Sequence, residues 1–127
     1  MKAESLPFIV KYASAIKETT NFWSDLDFSI VENEEDKVVI DLGQLEIHYV
    51  DENTEPFEEY KFATAKQGRG IGSLIYLEIE GLSELFKKLR KLSPRILTEI
   101  KANHWDGREF MFSDPDGYLF VAFSMKQ

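Results

Sequence analysis

The alternation of apolar and polar positions predicts the same order of elements in both halves of the chain. In the first half, it predicts a strand over residues 6–13, a helix over residues 15–25 with Ser14 as its cap, and strands over residues 28–32, 37–42 and 45–50. Apolar positions recur at helical spacing in the helix, and alternate with polar positions in the last strand. The first half therefore predicts the order β-α-β-β-β.

The second half repeats this order at a period of about 65 residues. It predicts a strand over residues 72–80, a helix that begins at Ser83 and is stopped by Pro94, and strands over residues 96–103, 108–112 and 118–124. The last two strands are joined by Asp-Pro-Asp-Gly, in which Pro presets φ and Gly accepts a positive φ. Little residue identity links the halves, so the repeat is one of pattern.

Two such halves predict an α+β fold in which two βαβββ modules form curved antiparallel sheets around a cleft. Each helix must bury one face of its small sheet, and the other face is left to line a space that suits a ligand. We expect a single domain with module 1 at about residues 6–50, a linker at about 51–70 and module 2 at about 71–125. The linker is predicted from its charged composition, with Pro56 and Gly68.

Some sequence features carry no predicted chemistry. Gly68, Gly70 and Gly72 fit neither the dinucleotide fingerprint nor the phosphate-loop pattern, and the basic residues around them are predicted to solubilise a loop. Asp114 and Asp116 are predicted to be solvated or to cap their turn. None of these residues is therefore expected in a functional site.

Composition excludes several functional classes. The 127 residues include 15 Lys and Arg, 23 Asp and Glu and no Cys, for a formal net charge of −8. Without Cys there are no disulfides, thiolate metal sites or cysteine nucleophiles. The apolar runs are too short to cross a bilayer and the N-terminus has no secretory signal, so we expect a cytoplasmic protein without a membrane partner. Its acidity disfavours nucleic acid and favours a cationic ligand.

One segment resembles a known protein family. Residues 105–117, Trp-Asp-Gly-Arg-Glu-Phe-Met-Phe-Ser-Asp-Pro-Asp-Gly, resemble the C-terminal signature of the vicinal oxygen chelate (glyoxalase/bleomycin resistance/dioxygenase) superfamily, and are most similar to bleomycin-resistance proteins. Residues 22–28 and 45–48 resemble the first helix end and the fourth strand of that family. The resemblance implies paired βαβββ modules, usually in a homodimer, with clefts between the modules of one chain or of two.

The resemblance also implies where the superfamily's metalloenzymes place their metal ligands. Three of the four positions fall on apolar residues, near Phe8, Leu74 and Val121. The fourth is Glu46, and His48 lies two residues further on the same strand face. A catalytic ion needs at least three protein ligands, so we expect no metal, no cofactor and no catalytic residue. A nonstandard site that recruits Glu78 or His104 stays open, as does a solvated polar role for Glu46 and His48.

Strand periodicity identifies further candidates, since every second residue shares a face. Ile75, Leu77 and Ile79 suit the helix side, which leaves Tyr76 and Glu78 facing the cleft. Trp105 precedes a strand, where rim packing is the alternative to the ligand stacking that the resemblance favours. A salt bridge to Asp114 or Asp116 is the alternative for Arg108, which shares its face with Phe110 and Phe112. The candidate ligand-binding residues are Glu46, His48, Tyr76, Glu78, Trp105, Arg108, Phe110 and Phe112.

These observations predict a metal-independent small-molecule-binding protein of the bleomycin-resistance type. We expect it to sequester an aromatic or cationic compound, because aromatic walls supply stacking area and carboxylates offset ligand charge. A homodimer is the expected assembly. Two alternatives stay open: a divergent metal-dependent lyase or dioxygenase of the same superfamily, and a protein-interaction module with a vestigial cleft.

Overall fold

The computed structural model describes residues 1–65, 67–92 and 95–125 and repeats one order of elements. The first half contains β1 (Phe8–Ala13), α1 (Ile16–Asp25), β2 (Ser29–Asn33), β3 (Lys37–Asp41) and β4 (Glu46–Asp51). Two 3₁₀ helices follow, at Glu52–Thr54 and Glu58–Thr64. The second half contains β5 (Ile75–Glu78), α2 (Leu82–Arg90), β6 (Lys101–Ala102), β7 (Arg108–Ser113) and β8 (Leu119–Ser124). The predicted order and the α+β class are confirmed, while Pro94 lies outside the described residues.

Each half forms a four-stranded sheet, with strand orders β1-β4-β3-β2 and β5-β8-β7-β6. The prediction of antiparallel sheets was wrong for one strand pair in each sheet. β1 runs parallel to β4 with Phe8 opposite Glu46, and β5 runs parallel to β8 with Tyr76 opposite Val121. The reason is that a helix and two strands separate each parallel pair along the chain, which provides the long crossover connection that parallel pairing requires. The remaining pairs are antiparallel, so both sheets are mixed.

The packing divides the chain into two compact units, residues 1–66 and 67–127. In the first unit, α1 covers the face of the sheet that carries Ile47 and Tyr49, both fully buried. Trp23 on α1 is also fully buried, and its Nε1 donates a hydrogen bond to Tyr49 Oη at 3.2 Å. The predicted Ser14 cap was wrong: Ala15 occupies the N-cap position without a side-chain hydrogen bond. Burial of the apolar face, rather than capping, therefore positions α1.

In the second unit, α2 buries Leu85, Phe86 and Leu89. The Phe86 ring meets Phe110 of β7 edge to face, with the ring centroids 5.1 Å apart. The helix starts one residue earlier than predicted, because Gly81 takes the N-cap position with a φ of 84°. This left-handed conformation costs glycine nothing.

The strand predicted over residues 96–103 is mostly irregular. Only Lys101–Ala102 forms β6, and Ile96 makes an isolated bridge to Phe112. Between them the Thr98 hydroxyl accepts a hydrogen bond from the Met111 backbone N–H at 2.9 Å, so a side chain replaces a strand carbonyl. Such side-chain bonds to the backbone compete with regular pairing.

The turn between β7 and β8 is held by buried charges. Asp114 is fully buried and accepts hydrogen bonds from the backbone N–H groups of Asp116 at 3.0 Å and Tyr118 at 2.9 Å. Arg69 Nη1 lies 2.8 Å from Asp116 Oδ1, and the two side chains are only 4% and 6% exposed. The prediction that an aspartate caps this turn is confirmed for Asp114, whereas the predicted solvation of the acidic pair and the merely solubilising role of Arg69 were wrong. Arg69, rather than Arg108, braces this turn.

Among the described residues, no helix combines the length and the apolar composition that crossing a membrane requires.

Candidate functional site

Each sheet has one face covered by its helix and a second face, which we call the distal face. In the first unit, strand register places Phe8, Val10, Glu46 and His48 together on the distal face. Phe8 and Val10 are 44% and 45% exposed, unlike the buried Ile47 between Glu46 and His48. The two candidates on β4 therefore lie side by side and away from the core.

Glu46 and His48 interact directly. His48 Nε2 lies 3.0 Å from Glu46 Oε1, and the His48 ring stacks on Phe8 with centroids 4.1 Å apart and an interplanar angle of 12°. The His48 side chain is 15% exposed and that of Glu46 is 43% exposed. This arrangement orients the imidazole against an apolar ring, and both polar groups already have a partner.

A second carboxylate, on the segment that follows β4, is bound to β1. Tyr12 Oη donates to Glu55 Oε1 at 2.5 Å, and the Phe57 backbone N–H donates to Oε2 at 3.0 Å. These hydrogen bonds, first the Tyr12 hydroxyl and then the Phe57 amide, hold the pKa of Glu55 below its ordinary value. Glu55 is therefore a stable anion that fastens this segment to β1.

The distal face of the second unit carries a half-exposed aromatic cluster of Tyr76, Trp105 and Phe123. The ring centroids are 5.8 Å apart for Tyr76 and Trp105, 5.9 Å for Tyr76 and Phe123, and 6.1 Å for Trp105 and Phe123. Tyr76 is 42% exposed and Trp105 is 51% exposed. These spacings are those of interacting aromatic pairs, and the exposed rings leave π surface for a ligand to stack on.

Two carboxylates flank this aromatic cluster. The strand register aligns one residue from each strand of this sheet. Phe123 of β8 lies between Glu78 of β5 and Glu109 of β7, and Lys101 of β6 lies on the far side of Glu109. Residues opposite one another share a face, so these four form one row across the distal face. Glu78 is exposed, whereas Glu109 is half-buried. The cluster therefore has acidic groups on both sides of Phe123.

The loop between β6 and β7 fixes Trp105. The Asn103 side-chain oxygen accepts hydrogen bonds from the backbone N–H groups of Trp105 at 2.9 Å and Gly107 at 2.8 Å. Asp106 adopts a φ of 64°, and a Cβ on Gly107 would lie 2.3 Å from the Ser124 carbonyl oxygen. Only glycine fits that contact, so the loop lies tightly against the end of β8.

An open cavity lies at this end of the second sheet. Its volume is about 300 Å³, and its lining residues are Glu78, Ile79, Glu80, Ser124 and Met125. Glu78 belongs both to the cavity and to the row beside Phe123, so the cavity provides room next to the aromatic cluster. Its size falls at the lower end of the range for small-molecule sites.

Three of the other candidates, Phe110, Phe112 and Arg108, lie on the opposite face of the same sheet. Phe110 and Phe112 are fully buried, because register places them with Leu77 on the face that α2 covers. We therefore correct their assignment: they are core residues, not lining residues. Arg108 shares that strand face and is exposed at the start of β7. Glu46 and His48 belong to the first unit.

Three residues that contribute to the cluster or its surroundings were not predicted from the sequence: Asn103, Glu109 and Phe123. Phe123 follows a nearly continuous apolar run, in which alternation gives no signal. The register of β8 against β5 and β7 shows which face of the sheet carries Phe123. That register cannot be predicted from a single sequence.

A metal centre of the type found in the superfamily's enzymes needs ligands that these residues do not supply. The register pairs Phe8 with Glu46 and Tyr76 with Val121, so a carboxylate is the one ligand-type side chain in these two pairs. Among the described residues, no group of three or more His, Cys, Asp or Glu side chains comes close enough together to hold a metal ion. One carboxylate and one imidazole do not complete the coordination of a divalent ion.

The chain belongs to the Glyoxalase/Bleomycin resistance protein/Dioxygenase superfamily, whose family model matches residues 5–122. No curated protein matches the sequence. Solved structures with the same fold include a hypothetical protein from S. aureus, with a TM-score of 0.80 and 18% identity over 98% of this chain and 95% of that one.

Two further solved structures with this fold are of proteins named for an enzymatic function. A glyoxalase-related enzyme from Fulvimarina pelagi has a TM-score of 0.77 and 12% identity over 96% of this chain and 88% of that one. Lactoylglutathione lyase from Agrobacterium tumefaciens has a TM-score of 0.69 and 11% identity over 98% of this chain and 96% of that one. At these identities the likeness shows the fold alone, and a fold of this kind hosts more than one function.

Proposed function

We propose that the protein is a metal-independent binder of the bleomycin-resistance type that sequesters an aromatic, cationic small molecule. The observation that carries this proposal is the half-exposed aromatic cluster of Tyr76, Trp105 and Phe123 on the distal face of the second sheet, flanked by Glu78 and Glu109. Aromatic rings attract cations through their faces, and nearby carboxylates strengthen that attraction.

Two further observations support binding rather than metal-dependent catalysis. The positions that the resemblance assigns to the superfamily's metal ligands carry apolar residues here, near Phe8, Leu74 and Val121, with Glu46 as the fourth. The net charge of −8 also favours a positively charged ligand over an anionic one.

A fluorescence titration tests this function. Of the two tryptophans, Trp23 is fully buried and Trp105 is half-exposed, so a ligand that stacks on the cluster should quench Trp105. We expect cationic aromatic compounds, bleomycin included, to quench the wild type, and Trp105→Phe to lose the quenching. Raising the salt concentration should weaken binding, because ions screen the protein field within about 8 Å at physiological ionic strength.

Two results would contradict the proposal. Anionic aromatic compounds could bind best, or quenching could persist unchanged in Trp105→Phe. The metal-dependent alternative has its own signature, which is one metal ion per chain in elemental analysis that is lost in a Glu46→Gln/His48→Gln double variant.

We also propose that the protein is a homodimer, as the resemblance to the family implies. Each sheet has unpaired edges, at β1 and β2 in the first and at β5 and β6 in the second, and exposed edges commonly pair or become covered. Sedimentation equilibrium should give twice the chain mass of 14.7 kDa. A monomer mass at tens of micromolar protein would rule out a stable dimer.

A further inference from the structure

Among the residues that the structure describes, Glu109 is the one carboxylate beside the aromatic cluster with an enclosed oxygen atom. Its Oε1 is shielded from solvent and has no hydrogen-bond partner among the described residues. An ionised carboxylate in this state lacks part of the hydration that stabilises its charge. Glu109 therefore gains more from an arriving cation than a fully hydrated carboxylate does.

Glu78 provides the comparison within the same row. Both carboxylates lie beside Phe123 on the distal face, one on each side, yet Glu78 is exposed and Glu109 is half-buried. Glu109 is only partly buried even though its Oε1 is enclosed, so a ligand on the cluster can approach the exposed part of this residue. Water competes strongly for Glu78 and weakly for Glu109, so Glu109 should dominate the recognition of charge.

Lys101, opposite Glu109 on β6, is the cation nearest in the row. It is exposed, and the two side chains form no ion pair in this structure. The ammonium group of Lys101 therefore leaves the carboxylate available to a ligand.

We propose that Glu109 determines specificity at the aromatic cluster, and that the ligand carries a protonated amine whose N–H groups donate to this carboxylate while its aromatic body stacks on Trp105 and Tyr76. The inference rests on the proposed function and refines it. A ring cluster alone accepts any cation, including a quaternary ammonium without N–H groups. A carboxylate that lacks hydrogen bonds instead prefers a donor, since charge-assisted hydrogen bonds are about twice as strong as neutral ones.

Two probe compounds separate these contributions: 2-phenylethylamine and its N,N,N-trimethyl derivative. Both carry one positive charge and the same ring, but only the primary amine has N–H donors. Binding is followed through the NMR signal of the Trp105 indole N–H, and Trp23, which is buried and bonded to Tyr49, serves as the internal reference.

We expect the wild type to bind the primary amine about tenfold more tightly than the trimethyl compound. Glu109→Gln, which is nearly isosteric, should abolish this preference by weakening the primary amine. The matched control Glu78→Gln should weaken both compounds by a similar, smaller factor and keep the preference. A circular dichroism melt of each variant checks that the fold is retained. Glu109→Asp provides a second variant, in which the negative charge is kept but the shorter side chain withdraws it from the cluster.

The results distinguish the two proposals. Equal wild-type affinities, or a preference that survives Glu109→Gln, would overturn the role of Glu109 and leave the binding function intact. If neither compound perturbs Trp105 up to its solubility limit, both the cationic binding function and the inference drawn from it fail.

Discussion

The two units have the same element order and strand pairing, but the chemistry of their distal faces differs. In the first unit His48 is bonded to Glu46 and stacked on Phe8. In the second, the aromatic rings of Tyr76 and Trp105 remain half-exposed, and Glu109 Oε1 has no hydrogen-bond partner among the described residues. The polar pair of the first face is therefore satisfied internally, whereas the second face keeps exposed rings beside a carboxylate oxygen without such a partner. The two units therefore share a fold, but the same cluster of side chains does not occur on both distal faces.

The turns before the last strand of each unit differ in the same way. Between β3 and β4 the half-buried Asp41 accepts a hydrogen bond on its side chain from the Gly43 N–H at 2.8 Å. Between β7 and β8 the Asp114 side chain is buried and Arg69 pairs with Asp116. The second unit thus depends on a long-range contact for a turn that the first unit forms locally.

The largest expected effect comes from removing Arg69. Arg69→Met should lower the free energy of unfolding by about 3–5 kcal/mol, because it leaves the Asp116 carboxylate buried without its cation. Asp41→Ala, in the matching turn of the first unit, should cost about 0.5–1.5 kcal/mol. Urea denaturation of both variants measures the difference. Equal losses would show that the two turns are stabilised alike.

A smaller effect is expected from two glycines with positive φ. A Cβ on Gly70, at a φ of 84°, would lie 2.4 Å from the Gly117 carbonyl oxygen, whereas one on Gly43, at a φ of 103°, meets nothing within 4 Å. Both alanine variants place a Cβ on a residue with positive φ, so this conformational strain is common to the two. The remaining difference is crowding, which should make the free energy of unfolding of Gly70→Ala about 1–3 kcal/mol lower than that of Gly43→Ala. Thermal melts compare the two. Matching melting temperatures would mean that the backbone contact relaxes freely.

The smallest effect concerns pH and belongs to the first unit. The pKa of Glu55 is lowered by the Tyr12 hydroxyl and the Phe57 amide, so its ionised form stabilises the folded state above the unfolded pKa. That contribution is lost as the pH falls through the folded pKa. Wild type should therefore exceed Glu55→Gln in stability at pH 7, and the gap should close in acid. A gap that stays constant from pH 7 to about pH 2 would contradict this assignment.

The sequence predicts local structure well and three-dimensional pairing poorly. The helix periodicity and the Asp-Pro-Asp-Gly turn place the elements within a few residues, because both signals arise from neighbouring residues. The positions of Phe110 and Phe112 show where prediction from the sequence fails. Alternation along β7 correctly groups these residues with Arg108, but it does not say which face α2 covers. That choice depends on packing against Phe86, on another element.

The same limit applies to the candidate site. Tyr76, Glu78 and Trp105 could be proposed from local pattern and family resemblance, and the structure places them around one row. Phe123 and Glu109 join that row through cross-strand register, and Arg69 meets Asp116 across 47 positions of sequence. Contacts of that kind follow from the folded chain as a whole, so no window of neighbouring residues contains them.

The alternation along β7 has a consequence for how this protein can evolve. Glu109 and Met111 point to the distal face, while Phe110 and Phe112 fill the core beneath α2. Substitutions at the first pair change the chemistry of the distal face without disturbing the hydrophobic interior, so this surface can diverge while the scaffold is preserved. Insertions and deletions have no such freedom, because a shift of one residue exchanges the two pairs. Divergence in this strand should therefore proceed by replacement at constant length.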